Sequence, residues 1–207
     1  MEQKLNAFIT TTWGLGLPTN LFVEKTADFK LSTAVAWLRD WADVIFFPGG
    51  SDICPSIYLE DNTYSKVNAP NRDIREILFH RIAKRKGLPM VGICRGHQLI
   101  NALRGGHLTQ DLTHEYPGID HPAWHELENV KKGSMMEMAF PYEMTNSIHH
   151  QAVVDPGDGL IVTSEYMDVA ESTEGEDVFS VQGHPESMYG NNHMFFDVVH
   201  NWITSRR

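Results

Sequence analysis

The chain has 207 residues, 42% of them hydrophobic, and a formal net charge of −10 at pH 7. That length suits one domain over residues 1–207, able to bury about 70% of the surface its unfolded chain exposes without metal or disulfide staples. The acidic balance argues against a nucleic-acid or anionic-membrane partner, because phosphates are repelled over a Debye length of roughly 8 Å.

In chain order, "LNAFITT" reads as a first strand and "STAVAWLRDWA" as a helix with Val35, Leu38 and Trp41 on one face. "DVIFFPGG" is a buried strand ending in a glycine turn. The connection from Gly49 to Pro70, rich in Asp, Asn, Ser and Pro, is too long for a routine connector and reads as a loop bordering a site. "NRDIREILFHRIAKRKGLP" is a helix with Asn71 as N-cap and Ile74, Ile77, Leu78 and Ile82 as its apolar stripe. "PMVGIC" is a strand, and "RGHQLINALRGG" a helix with Leu99, Ile100 and Leu103 at helical spacing. Four more stretches, "WHELENV", "QAVVD", "GLIVTSEY" and "DVFSVQGHP", alternate as strands do. The acidic run "ESTEGED" reads as a solvated hairpin tip, and "NHMFFDVVHNWITS" as a closing helix. Strands alternating with helices predict an α/β protein, a parallel sheet covered on both faces.

Two cysteines, Cys54 and Cys94, make no disulfide framework. The first thirty residues lack the basic start and apolar core of a secretory signal, and no apolar run nears the ~20 residues of a membrane span. The expected location is the cytoplasm, and the expected partner a small polar molecule or another protein. The eleven histidines include no H-x₃-H pair and accompany no CxxC, so no metal or cofactor is expected. His80, His107, His114, His121, His125, His193 and His200 read as surface or packing residues.

Cys94 stands at a strand-to-helix turn, flanked by Gly92 and Gly96. Alone in an apolar strand it reads as a small packed residue. Three additions reverse that reading. A helix N-terminus stabilises a thiolate; small flanking residues permit a nucleophile-elbow turn; and "VQGHPES" supplies His184 as a base with Glu186 to orient it. If the segment stays extended, residues two apart share a face, so Glu186 reaches the His184 ring. An oxyanion needs backbone donors, and the N–H of Arg95 and the turn "FFPGGSD" at another strand end offer them. "NSIHHQAV", with its paired histidines and glutamine, reads either as packing or as a pocket lining.

Together "GICRGHQ" and "GHPE" resemble the class I glutamine amidotransferase family. "FFPGGSDICPSIY", "NRDIREILFHRI" with its Arg-Asp pair, "GICRGHQLINALRGGHLTQDL" and "NSIHHQAV" narrow the resemblance to the γ-glutamyl-γ-aminobutyrate hydrolase-like (peptidase C26) branch. The resemblance implies a flavodoxin-like three-layer sandwich with a mostly parallel central sheet and a nucleophile elbow at Cys94. It implies Cys94 as nucleophile, His184 as general base and acid, Glu186 as orienter, and the N–H groups of Gly50 and Arg95 as oxyanion hole. Gly49, Gln98, His149, His150 and Gln151 would border a γ-glutamyl pocket. The implied reaction is hydrolysis of a γ-glutamyl amide through a thioester, without cofactor; an exposed apolar helix face could make a homodimer. The alternatives are a glutaminase subunit delivering ammonia to a separate synthase, and a non-catalytic binding or regulatory protein on the same fold. Two residues depart from the family pattern. His97 stands where an apolar or aromatic side chain is usual, so selectivity is expected to diverge there. Gly183 replaces a common aromatic and is expected to open space beside His184. "TTTWGLGLPTN" resembles nothing assignable.

Overall fold

In the computed structural model, which describes residues 3–27, 30–66, 68–117, 123–188 and 192–207, the alternation of apolar runs and helical patterns resolves as follows. The elements are β1 (Leu5–Ile9), β2 (Phe22–Thr26), α1 (Leu31–Asp40), β3 (Val44–Phe47), α2 (Pro70–Lys86), β4 (Met90–Ile93), α3 (Arg95–Leu103), β5 (His107–Thr109) and α4 (Leu112–Glu115). There follow β6 (Trp124–Glu126), α5 (Met135–Ala139), β7 (Met144–Asn146), β8 (Ala152–Asp155), β9 (Ile161–Tyr166), β10 (Val169–Gly175), β11 (Val178–Val181) and α6 (Asn192–Thr204). Among the described residues a 9-stranded sheet runs β2-β1-β3-β4-β11-β10-β8-β5, with β9 paired to β10, and β6-β7 form a separate ribbon. β2, β1, β3, β4 and β11 pair in parallel; β10, β9, β8 and β5 continue antiparallel.

Side-chain alternation explains the three layers. In β3, Val44 and Phe46 point to one face and Ile45 and Phe47 to the other, and all four are buried. The first face packs on Phe195, Phe196, Val199 and Ile203 of α6 and on Met136 and Ala139 of α5. The second packs on Ala34 and Leu38 of α1, Phe79 and Ala83 of α2, and Leu99 and Ile100 of α3. This is an α/β flavodoxin-like sandwich whose sheet is parallel at its centre and antiparallel at one side.

Several elements differ from the sequence reading. β2 was hidden in "LFVEKT", because as an edge strand it carries little apolar alternation; only Phe22 of its five residues is buried. "ESTEGED" is mostly strand β10, with Glu171, Ser172 and Thr173 buried, and only the Glu176-Asp177 turn closes the hairpin. Asn71 does not cap α2; Pro70 occupies the first helical turn and Ala69 the cap. The buried face of α2 is Asp73, Glu76, Phe79, His80 and Ala83, and Ile74 is 66% exposed. His121 lies outside the described residues. His80, His125 and His200 are buried, while His107, His114 and His193 are exposed or half-exposed.

Candidate active site

Cys94 ends β4 and begins α3, with φ +51° and ψ −108°. An L-residue rarely adopts that backbone, at a cost of about 1–3 kcal/mol. The strain is held by close packing of the turn. A Cβ on Gly96 would lie 1.8 Å from the Phe47 carbonyl oxygen, and one on Gly92 would lie 2.9 Å from the Gly96 carbonyl group. Only glycine at both places lets the first turn of α3 settle on the ends of β3 and β4. The Cys94 N–H is fixed by Val181 O at 2.8 Å on β11.

The neighbouring strand end supplies the partner. His184, just beyond β11, has its ring beside the Cys94 side chain, and its Nδ1 lies 2.7 Å from Glu186 Oε1. Burial disfavours the charged ring, but the hydrogen bonds and negative charge of Cys94 and Glu186 outweigh it and push the pKa up to about 10. At neutral pH the ring is therefore charged, and its Nδ1 donates to Glu186. The His184–Glu186 contact does not arise from an extended segment. Pro185–Ser187 form a 3₁₀ turn with Pro185 at its start, which folds the carboxylate back onto the ring.

Asn146, on β7, fixes the backbone of His184: its Oδ1 accepts from His184 N at 2.7 Å, while its Nδ2 donates to His184 O at 3.2 Å and to Ser187 Oγ at 2.9 Å. Gly183 leaves no open space there. A Cβ on it would meet Thr145 Oγ1 at 2.1 Å and Asn146 O at 2.9 Å, so glycine is what lets the β6-β7 ribbon press against the His184 turn.

Gly49 sits on the other side of the ring, where a Cβ would lie 2.6 Å from His184 Cε1. Arg95 begins α3, and the first N–H groups of a helix have no acceptor within it. Its side chain is fully buried against Asp73 and Glu76. Gln98, also buried, donates through Nε2 to Gln151 O at 2.9 Å and Gln182 Oε1 at 3.1 Å. Both polar atoms of the Gln151 amide are buried and without a hydrogen bond among the described residues. His149 Nδ1 lies 2.9 Å from Gln151 O. His150 bridges loops, with Nε2 3.0 Å from Asp52 Oδ1 and Nδ1 3.7 Å from Asp111 Oδ2.

His97 does not face the site. It is fully buried between α3 and the sheet, where Nε2 donates to Ala170 O at 3.3 Å and Nδ1 accepts from Ser180 Oγ at 2.8 Å. Burial pushes its pKa down to about 4, so the ring is neutral. Selectivity is therefore not expected to diverge at this residue. Among the described residues no group of three or more His, Cys, Asp or Glu side chains is placed to hold a metal ion. No described helix is long and apolar enough to cross a membrane.

This sheet order with a cysteine elbow is that of the class I glutamine amidotransferase-like fold. A GMP synthase component from Thermoplasma acidophilum superposes with TM-score 0.65 at 13% identity, over 100% of this chain and 99% of that one. The glutaminase domain of Trypanosoma brucei CTPS, solved with acivicin, gives TM-score 0.65 at 12% identity, over 99% of this chain and 95% of that one. Within that class the chain belongs to the peptidase C26 family, whose model matches residues 15–186. Relatives include the glutamine amidotransferase-like protein YvdE of Lactococcus lactis, 33% identical over 83% of this chain and 75% of its own length. Protein NtpR of Enterococcus hirae is 33% identical over 77% of this chain and 73% of its own length.

Proposed function

We propose that the protein is a cysteine-dependent hydrolase of γ-glutamyl amides. The observation that carries this reading is the Cys94–His184–Glu186 relay at the N-terminus of α3. The Cys94 thiolate attacks the γ-carbonyl carbon, and the oxyanion is held by the N–H groups of Gly50 and Arg95. The His184 imidazolium gives its proton to the leaving nitrogen as the C–N bond breaks. Neutral His184 then takes a proton from water, which attacks the thioester and releases glutamate and the thiolate. Glu186 orients the ring throughout. The buried Gln151 amide is the group offered to the glutamyl head, and Gln98, His149, His150 and Gly49 complete the proposed lining.

The relatives' likeness to glutamine amidotransferases supports glutamine as one substrate to test, and with it a second reading: a glutaminase that passes ammonia to a synthase partner. Glutamate release from a panel of γ-glutamyl amines and from glutamine, without partner, separates the two. Release from γ-glutamyl amines that disappears in Cys94→Ala is expected. Glutamine-only turnover that requires a partner overturns the hydrolase reading. A Cys94 thiol that accepts no acyl group at all would leave a non-catalytic binding protein.

A further inference from the structure

α2 turns a charged face inward. Arg72 donates through Nη1 to Gly49 O at 2.9 Å, through Nη2 to Pro48 O at 2.8 Å, and through Nε to Glu76 Oε1 at 3.1 Å. Glu76, fully buried, also accepts from Thr10 Oγ1 at 2.5 Å and from the Arg95 guanidinium. The other arm of Arg95 lies on Asp73, whose second oxygen accepts from the Cys54 N–H at 3.2 Å. Two cations and two anions alternate, so the buried set is close to neutral and each charge keeps a partner.

The Gly49–Gly50 peptide is trans, so its carbonyl and its N–H point in opposite directions. Arg72 holds the carbonyl on the α2 side, and a Cβ on Gly50 would strike Arg72 Nη1 at 2.1 Å. The Gly49 Cα abuts the His184 ring on the site side. A Gly-Gly pair resists rotation weakly, and a flipped peptide would present an oxygen where a donor is needed. We infer that Arg72 is a positioning residue: by holding the Pro48 and Gly49 carbonyls it aims the Gly50 N–H at the reacting carbonyl oxygen. Through Glu76 and the Arg95 side chain it also keeps that donor in register with the Arg95 N–H. This inference rests on the acyl-transfer reading above, but not on the identity of the substrate.

Two reactions of the same thiol test it. Acylation by p-nitrophenyl acetate forms an S–C bond through a tetrahedral oxyanion and expels p-nitrophenolate; alkylation by iodoacetamide displaces iodide at a saturated carbon and needs no oxyanion donor. Both are measured against a Cys94→Ala background. In Arg72→Ala the acylation rate constant is expected to fall by about 100-fold, while alkylation and its pH profile stay within about twofold. A cavity of about 190 Å³, lined by Thr10, Trp13, Asn71, Arg72 and Arg75 among others, borders the guanidinium, so added guanidinium ion should restore acylation about tenfold. Arg72→Lys covers the case in which the alanine variant fails to fold. It keeps the charge but cannot span two carbonyls, and the same selective loss is expected. The inference is overturned if both reactions fall together, if acylation stays within about threefold of wild type, or if the wild-type thiol alkylates without acylating. A wrong substrate assignment shows instead in the γ-glutamyl panel and leaves the ratio of the two rates intact.

Discussion

The φ of +51° at Cys94 puts a cost on the residue that carries the thiol. Glycine adopts such a backbone freely, so Cys94→Gly is expected to be more stable than Cys94→Ala by about 1 kcal/mol, or roughly 2–4 °C in Tm, since both lose the same contact with His184. Both variants lose thiol chemistry. Calorimetry on the two variants checks this; equal Tm for Cys94→Gly and Cys94→Ala would show the turn to be unstrained. The second prediction concerns His184, whose pKa is raised to about 10 from an ordinary 6.5. A group raised on folding stabilises the fold fully below 6.5, and that contribution fades as pH rises through about 10. In the proposed reaction the same ring is the acid for the leaving amine, so kcat/KM should fall on an alkaline limb near pH 10. Glu186→Gln removes one cause of the elevation and should move the limb to lower pH, read from the pH–rate profiles.

At the scale of elements, α3 and α2 do different work. α3 descends onto β3 and β4 because Gly96 has no Cβ, and the atom that a Cβ would meet is backbone. Gly96→Ala should cost about 3 kcal/mol or more, seen as a loss of soluble protein or of Tm by roughly 10 °C. The buried face of α2 keeps helical spacing at Asp73, Glu76, Phe79, His80 and Ala83, but three of the five are polar. That is why the apolar stripe drawn through Ile74, Ile77, Leu78 and Ile82 fell one position off. Hydrophobic periodicity reports the buried face only when burial is apolar, and here the face holds Arg95 and Arg72 instead. Glu76→Gln breaks a fully buried pair and should cost about 3–5 kcal/mol by urea unfolding.

For the whole molecule, a sheet whose parallel half is buried on both faces contrasts with the short, separate β6-β7 ribbon that meets it at the His184 turn. Amide hydrogen exchange should be slowest in β1, β3, β4 and β11 and faster in β6 and β7. Faster exchange at β4 than at β7 would show that the site rests on a less stable frame than its burial implies.

The elbow around Cys94, the "PGG" turn and the pairing of His184 with Glu186 were readable from sequence because each needs particular residues at fixed local spacings, whereas the 3₁₀ turn that makes the His184–Glu186 contact was not. The alternation that specified the parallel α/β core was readable too. The placement of His97 in the core, the filling of the space beside Gly183 by Thr145 and Asn146, and the Arg72–Glu76–Arg95–Asp73 chain were decided by the tertiary structure alone. A buried charge is tolerable only beside its counter-charge, and those partners come from segments that the sequence holds far apart and only folding brings together.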